Sequence, residues 1–204
     1  MKNRLNNQVK YIFTNFREVI TYMSTNSNET LFEQIMEGGY ILYLRHGETE
    51  DIHESNVDLT KCETQRNLNA NGRRQAEIVG EIVKTQKLPI EFPVLTSPYC
   101  RTRETGEIAF GAQNIQINND LGRIDYLERD VSTPEEQTIK DNLIKLFQTL
   151  PLQGKNKVFI AHSAFGGIPY MGMVVIKPGS AGRTYEVVTK VNYDEIIQWP
   201  NFKI

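Results

Sequence analysis

The chain reads as an α/β protein built on a largely parallel sheet. Two observations predict this. Three short apolar runs, YILYL (40–44), PVLTS (93–97) and KVFIA (157–161), have the length and continuity of buried strands. Amphipathic helical patterns lie between them, the alternation that gives parallel strands joined by helices. Each run also ends in reactive residues: Arg45-His46-Gly47-Glu48-Thr49 after the first, Pro98-Tyr99-Cys100-Arg101 after the second, and His162-Ser163 after the third.

The elements follow in order. Residues 1–37 form an N-terminal helical extension with helices expected around 6–23 and 29–37, and Gly38-Gly39 marks entry into a domain spanning 38–204. Asn69 is an N-cap residue for a helix that places Ala76, Val79 and Val83 on one stripe, with Ile82 beside them; Leu88-Pro89 closes it. A shorter helix over roughly 101–110 stops at Gly111. Thr133-Pro134-Glu135-Glu136 combines a capping box with proline at the first helical position. Behind it Ile139, Leu143, Leu146, Phe147 and Leu150 recur at helical spacing as a core face. MGMVVIK and TYEVVTKV flank PGSAGR as a hairpin.

Composition narrows the function classes. At 204 residues and 23.4 kDa the chain fits one domain with a real core. A formal net charge of −2 provides no global field for nucleic acid or acidic lipid, so neither partner is expected. Lys10, Arg17 and Glu18 interrupt the apolar residues near the N-terminus, so no export signal is expected there. No run reaches about 18 apolar residues, the length a spanning helix needs. The expected compartment is the cytoplasm, with Cys62 and Cys100 reduced. Two cysteines are too few for a four-thiolate zinc site.

In open α/β sheets ligands bind at the carboxyl ends of the strands. There the three strands deliver Arg45, His46, Arg101 and His162. Two guanidiniums can grip phosphoryl oxygens in fork geometry while permanently charged. One imidazole can attack phosphorus and form a phosphohistidine. The second, as a cation, would bond an equatorial oxygen as charge shifts in the transition state. Each of these residues alone has a bland reading, as a structural hydrogen-bond partner or a solvated charge. Two of only three histidines directly following apolar strands favour the joint reading.

These motifs resemble the histidine phosphatase superfamily, which includes phosphoglycerate mutases and many small phosphatases. Leu44-Arg45-His46-Gly47-Glu48-Thr49 is similar to the signature around the phosphorylated histidine. Arg66-Asn67-Leu68, Gly72, Gln75 and Ala76 are similar to the segment that follows it. Ser97-Pro98, Arg101, Glu104-Thr105 and Ala109 are similar to the second block, and His162 to the second histidine. The resemblance implies a three-layer α/β/α sandwich, phosphoglycerate mutase-like, and a phosphohistidine enzyme that needs no metal and no cofactor.

An alkoxide leaving phosphorus needs a proton donor. In the mutase-like branch this is a Glu about 27 residues beyond the second-block arginine, which points to Glu128, with Asp125 and Asp130 as rivals. Another branch carries Asp directly after the second histidine, where this chain has Ser163. Thr49, Arg66 and Ser163 are secondary substrate-binding candidates, and Glu48 reads as a positioning group. His53, in a polar loop, reads as a solvated side chain. Cys62 and Cys100 read as small buried hydrophobes, and the shared pocket would bring them close enough to pair under oxidation.

The expected activity is phosphomonoester hydrolysis on a phosphorylated small molecule. Phosphoglycerate mutase-type transfer and a non-catalytic phosphate-binding regulatory module are the alternatives. The region after Glu128 enters the 133 helix without added enclosing segments, and Ser163-Ala164-Phe165-Gly166-Gly167 departs from the mutase pattern. Both disfavour the mutase. His46-Gly47-Glu48 also fits the H-x-E of zinc deaminases, but no P-C-x-x-C follows. No P-loop sequence is present. Residues 1–37 offer a segment for pairing into a homodimer.

Overall fold

Along the first strand, β1 (Ile41–Arg45), side chains alternate between two cores. Ile41 and Tyr43 enter one, Leu42 and Leu44 the other. The same split recurs in β4 (Lys157–Ala161) and in β5 (Met173–Pro178). A strand buried on both faces needs apolar residues at every position, which is why these runs lack a polar alternation. The computed structural model describes residues 30–179 and 185–199.

Six strands form one sheet in the order β3-β2-β4-β1-β5-β6. β2 (Val94–Thr96), β3 (Ile115–Ile117), β4 and β1 run parallel; β5 is antiparallel to β1, and β6 (Tyr185–Val191) to β5. β5 and β6 are the expected hairpin, and the middle of its turn lies outside the described residues. β3 is an addition: its IQI has no apolar run to announce it.

Helices cover both faces. One core takes Phe32 and Ile35 from α1 (30–37) and Ala76, Val79 and Ile82 from α2 (Ala70–Thr85). It also takes Trp199, and α3 (Cys100–Phe110) packs Ile108 and Phe110 against it. The other takes Leu121, Ile124 and Tyr126 from a 3-10 segment (Asp120–Leu127), and Leu143 and Phe147 from α4 (Pro134–Gln148). The result is a three-layer α/β/α sandwich.

Local signals set the helix starts. The Asn69 side chain accepts the Gly72 N–H, and Thr133 with Glu136 closes a full capping box. Some expected core positions shift: Val83, Ile139 and Leu146 are only partly buried against the cores, and Leu150, beyond the end of α4, is 70% exposed. The helix expected at 29–37 is helical over 30–37, and Phe32 and Ile35 are fully buried in the domain core. The helix expected around 6–23 lies outside the described residues.

Cys62 and Cys100 are joined in a disulfide, which corrects the expectation of two separate reduced thiols. The physical reason is packing between segments far apart in the chain. The Gln65 side chain accepts the Cys100 backbone N–H at 2.9 Å, so the 58–65 turn sits on the N-terminus of α3. Among the described residues, no helix is long and apolar enough to cross a membrane.

Candidate active site

β2, β4 and β1 are neighbours and parallel, so their carboxyl ends share one edge. Arg45 pairs with Ala161 across the ladder, and the His46 N–H bonds the Ala161 carbonyl, which sets His46 beside His162. The Ser97 N–H bonds the Ile160 carbonyl, which brings the start of the Ser97–Arg101 corner to the same level. That corner is braced by Thr102, whose hydroxyl bonds the Ser97 and Tyr99 carbonyls and places Arg101 in the first turn of α3.

The loop after β1 is held against α2 at a separation only glycine permits. A Cβ on Gly47 would lie 2.5 Å from the Gly72 carbonyl oxygen, and one on Gly72 would lie 2.0 Å from that of Glu48. The Gly47 N–H bonds the Thr105 hydroxyl. Glu48 turns away from the site and accepts from Asn69 and Asn71, both at 2.7 Å, in keeping with a positioning role.

His46 is fully buried. Its Nδ1 lies 2.6 Å from the Gly47 carbonyl, so Nδ1 carries the hydrogen and Nε2 keeps a lone pair. Nε2 has no hydrogen-bond partner among the described residues. Burial lowers the imidazole from 6.5 to about 3, with Arg101, Arg45 and His162 adding to the effect against the Gly47 bond. A neutral ring with an unpaired acceptor nitrogen is what a nucleophile requires.

His162 keeps part of its ring open to solvent. Burial, then the charge of Arg101, lowers it to about 4, against the raising pull of Asp125 and Glu54. The protein alone therefore holds His162 neutral rather than as the expected cation, and a bound anion would favour the charged form.

Arg45, Arg66 and Arg101 form one cationic group. Arg66 acts through space on both of the others, and burial is the leading cause that lowers Arg45 and Arg101. Their guanidiniums stay charged. Among the described residues, Nε of each of the three is buried without a hydrogen-bond partner, as is Nδ1 of His162. Buried donors left unpaired are unfavourable by about 1–3 kcal/mol each, and this clustering points to an anion as their partner.

One carboxylate intrudes. Glu54 accepts from Arg101 at 2.9 Å and from the Arg66 backbone N–H at 2.8 Å. Its burial would raise the carboxyl, but those two bonds and the nearby guanidiniums take it below the usual range.

The other expected residues fall as follows. The Thr49 hydroxyl lies 3.3 Å from that of Tyr170, and Ser163 gives its carbonyl to the Tyr43 hydroxyl. Glu128 is exposed at the rim, where it accepts the Gly166 N–H at 2.8 Å in the loop following His162. Asp125 is the acid of the Glu128 neighbourhood whose charge acts on His162, and its carboxylate pairs with Arg129. His53 is exposed. Sequence reasoning missed Glu54, Tyr99 and Tyr170 as members of the site. Glu54 sits in a polar loop and Tyr170 follows a proline, and neither carries a spacing signal.

The model of the histidine phosphatase superfamily (branch 1) matches residues 41–147. The protein histidine phosphatase SixA, solved with tungstate, is 16% identical with a TM-score of 0.51, covering 77% of this chain and 99% of that one. Phosphoserine phosphatase from Entamoeba histolytica, solved with 3-phosphoglyceric acid, is 13% identical with a TM-score of 0.50, covering 77% and 98%. An open-reading-frame product of Mycobacterium tuberculosis is 18% identical with a TM-score of 0.50, covering 75% and 97%. At these identities the likeness is one of fold. No curated protein matches the chain. With the family model spanning more than half of its length, and both strand-end motifs at the carboxyl edge of its sheet, the chain belongs to the histidine phosphatase superfamily.

Proposed function

We propose that the protein is a phosphomonoester hydrolase working through a phosphohistidine at His46 on a phosphorylated small molecule. One observation carries this: a neutral, buried imidazole whose Nε2 has no partner among the described residues, set electrostatically in a group of three guanidiniums whose Nε donors are likewise unpaired there. The activities of two solved proteins of similar fold, a protein histidine phosphatase and a phosphoserine phosphatase, support a phosphatase rather than a binding module.

Arg45, Arg66 and Arg101 take the phosphoryl oxygens, with Thr49 and Ser163 at the edge of the pocket. The Nε2 lone pair attacks phosphorus in line with the ester oxygen. The P–N bond forms as the P–O bond breaks. The leaving oxygen takes a proton from Glu128 at the rim. His162, charged once the dianion is bound, steadies an equatorial oxygen. Water, giving a proton to the Glu128 carboxylate, then attacks phosphorus; the P–N bond breaks, and inorganic phosphate leaves with His46 and the Glu128 acid restored.

Hydrolysis of an aryl phosphate and of an alkyl phosphate tests the reading. His46→Ala should abolish both, and steady turnover by that variant overturns the phosphohistidine route. Glu128→Gln should slow the alkyl ester by about 100-fold or more and spare the aryl ester, whose leaving group needs little protonation. Equal, near-normal rates on both remove Glu128 from the role and leave Asp125 as the acid to replace.

A further inference from the structure

Both strand-end arginines lie against tyrosine rings. The Arg45 guanidinium lies over the Tyr170 ring at 4.1 Å, and that of Arg101 over the Tyr99 ring at 4.4 Å. Each tyrosine also meets one of the two histidines. Tyr99 stacks on His162 with centroids 4.2 Å apart and planes at 28°. Tyr170 lies 5.5 Å from His46. Both tyrosines are partly exposed, at the rim of the site.

The chemistry of the contact matters. A carboxylate holds a guanidinium by its in-plane N–H groups and so consumes the donors an anion needs. An aromatic ring holds it by its face, through attraction of the cation to the π system, and leaves the edge free. The same holds for an imidazole stacked on a ring, whose nitrogens lie in the plane. The edges here are open in part: Nε of Arg45 and of Arg101 and Nδ1 of His162 have no partner among the described residues, while Nη1 of Arg45 donates to the Ile168 carbonyl and Nη1 of Arg101 to Glu54 and the Arg66 carbonyl.

We propose that Tyr99 and Tyr170 are positioning residues: each packs against one histidine and holds one arginine by the face of its guanidinium, so that Nε of Arg45 and of Arg101 stays available to the phosphoryl group. The inference rests on the phosphatase reading for its consequence in turnover, but its effect on anion binding stands apart from catalysis. The ring is the required feature and the hydroxyl is not, although Tyr170→Phe would lose the Thr49 contact.

The test compares Tyr99→Phe, Tyr99→Leu, Tyr170→Phe and Tyr170→Leu in the full chain, by tungstate calorimetry and by kcat and KM on an aryl phosphate. Both leucine variants should bind tungstate about tenfold more weakly or worse, and both phenylalanine variants should stay within about threefold of wild type. Tyr99→Leu should also lower kcat, because its ring carries His162, whereas the loss of ring contact with Arg101 raises KM. If a leucine variant does not fold, methionine at the same position fills the volume without a π face and takes its place. Tungstate binding unchanged in the leucine or methionine variants overturns the proposal, as does a loss that phenylalanine does not restore. A wild-type protein that binds tungstate but hydrolyses nothing sinks the phosphatase reading, and the tungstate series then still decides this one.

Discussion

Nε2 of His46 is free because Nδ1 is not: the Gly47 carbonyl at 2.6 Å selects the tautomer, and burial keeps the ring neutral. This has a consequence for stability. The unfolded chain takes up a proton on each imidazole near pH 6.5, whereas the folded protein resists until about 3 at His46 and about 4 at His162. The contribution is complete above 6.5 and drains as pH falls through that window. Thermal unfolding between pH 7 and 4 should therefore show a falling midpoint, and a shallower fall in His46→Asn. An equal slope in both proteins would mean that His46 titrates normally in the fold. Glu54 acts at the same scale. Its carboxylate holds an Arg101 donor that a phosphoryl oxygen could use, so Glu54→Gln should tighten tungstate binding, by less than about tenfold for a part-screened pair. Calorimetry would read this directly, and weaker binding would instead make Glu54 a support for Arg101.

At the level of the element, α4 depends on its first turn. Thr133 and Glu136 satisfy each other's backbone N–H groups, and Glu136 also accepts from Ser132, which with the Arg129 pair holds its carboxyl down at about 2. Thr133→Ala should cost about 1 kcal/mol in a urea titration while leaving tungstate binding unchanged, since α4 lies on the face of the sheet away from α2. Such caps are legible in sequence because the donor and acceptor are three residues apart. So were the buried strands, whose continuous apolar runs follow from burial on two faces. β3 was not: Ile115 is half-buried, Gln116 and Ile117 are exposed, and only pairing along β2 makes them a strand. Leu150 was read into the α4 stripe because helical spacing continues past the residue where the backbone turns away.

For the whole molecule, the disulfide ties the 58–65 turn to the N-terminus of α3, the helix that carries Arg101. It closes a loop with a sequence separation of 38, which chain-entropy reasoning values at about 3–4 kcal/mol. Reductant should lower the thermal midpoint of the wild-type protein accordingly, and Cys62→Ser/Cys100→Ser should start at the lowered midpoint and not respond. A wild-type midpoint insensitive to reductant would mean that the bond is not formed in solution. Bonds of this kind persist where the surroundings are oxidising.

Local sequence was enough for the class of fold, the caps that start α2 and α4, and the two strand-end motifs around His46 and Arg101. Each is short-range: a period of apolar residues, a donor and acceptor a few positions apart, a reactive residue directly after a strand. Long-range packing was needed to put β4 between β2 and β1, which sets His162 beside His46. It was needed equally to bring Tyr170 to Arg45 and Tyr99 to His162, to fold Glu54 back onto Arg101, and to join Cys62 to Cys100. Most of these contacts connect segments far apart in the chain, and strand order and loop path, which no single segment encodes, choose the partner.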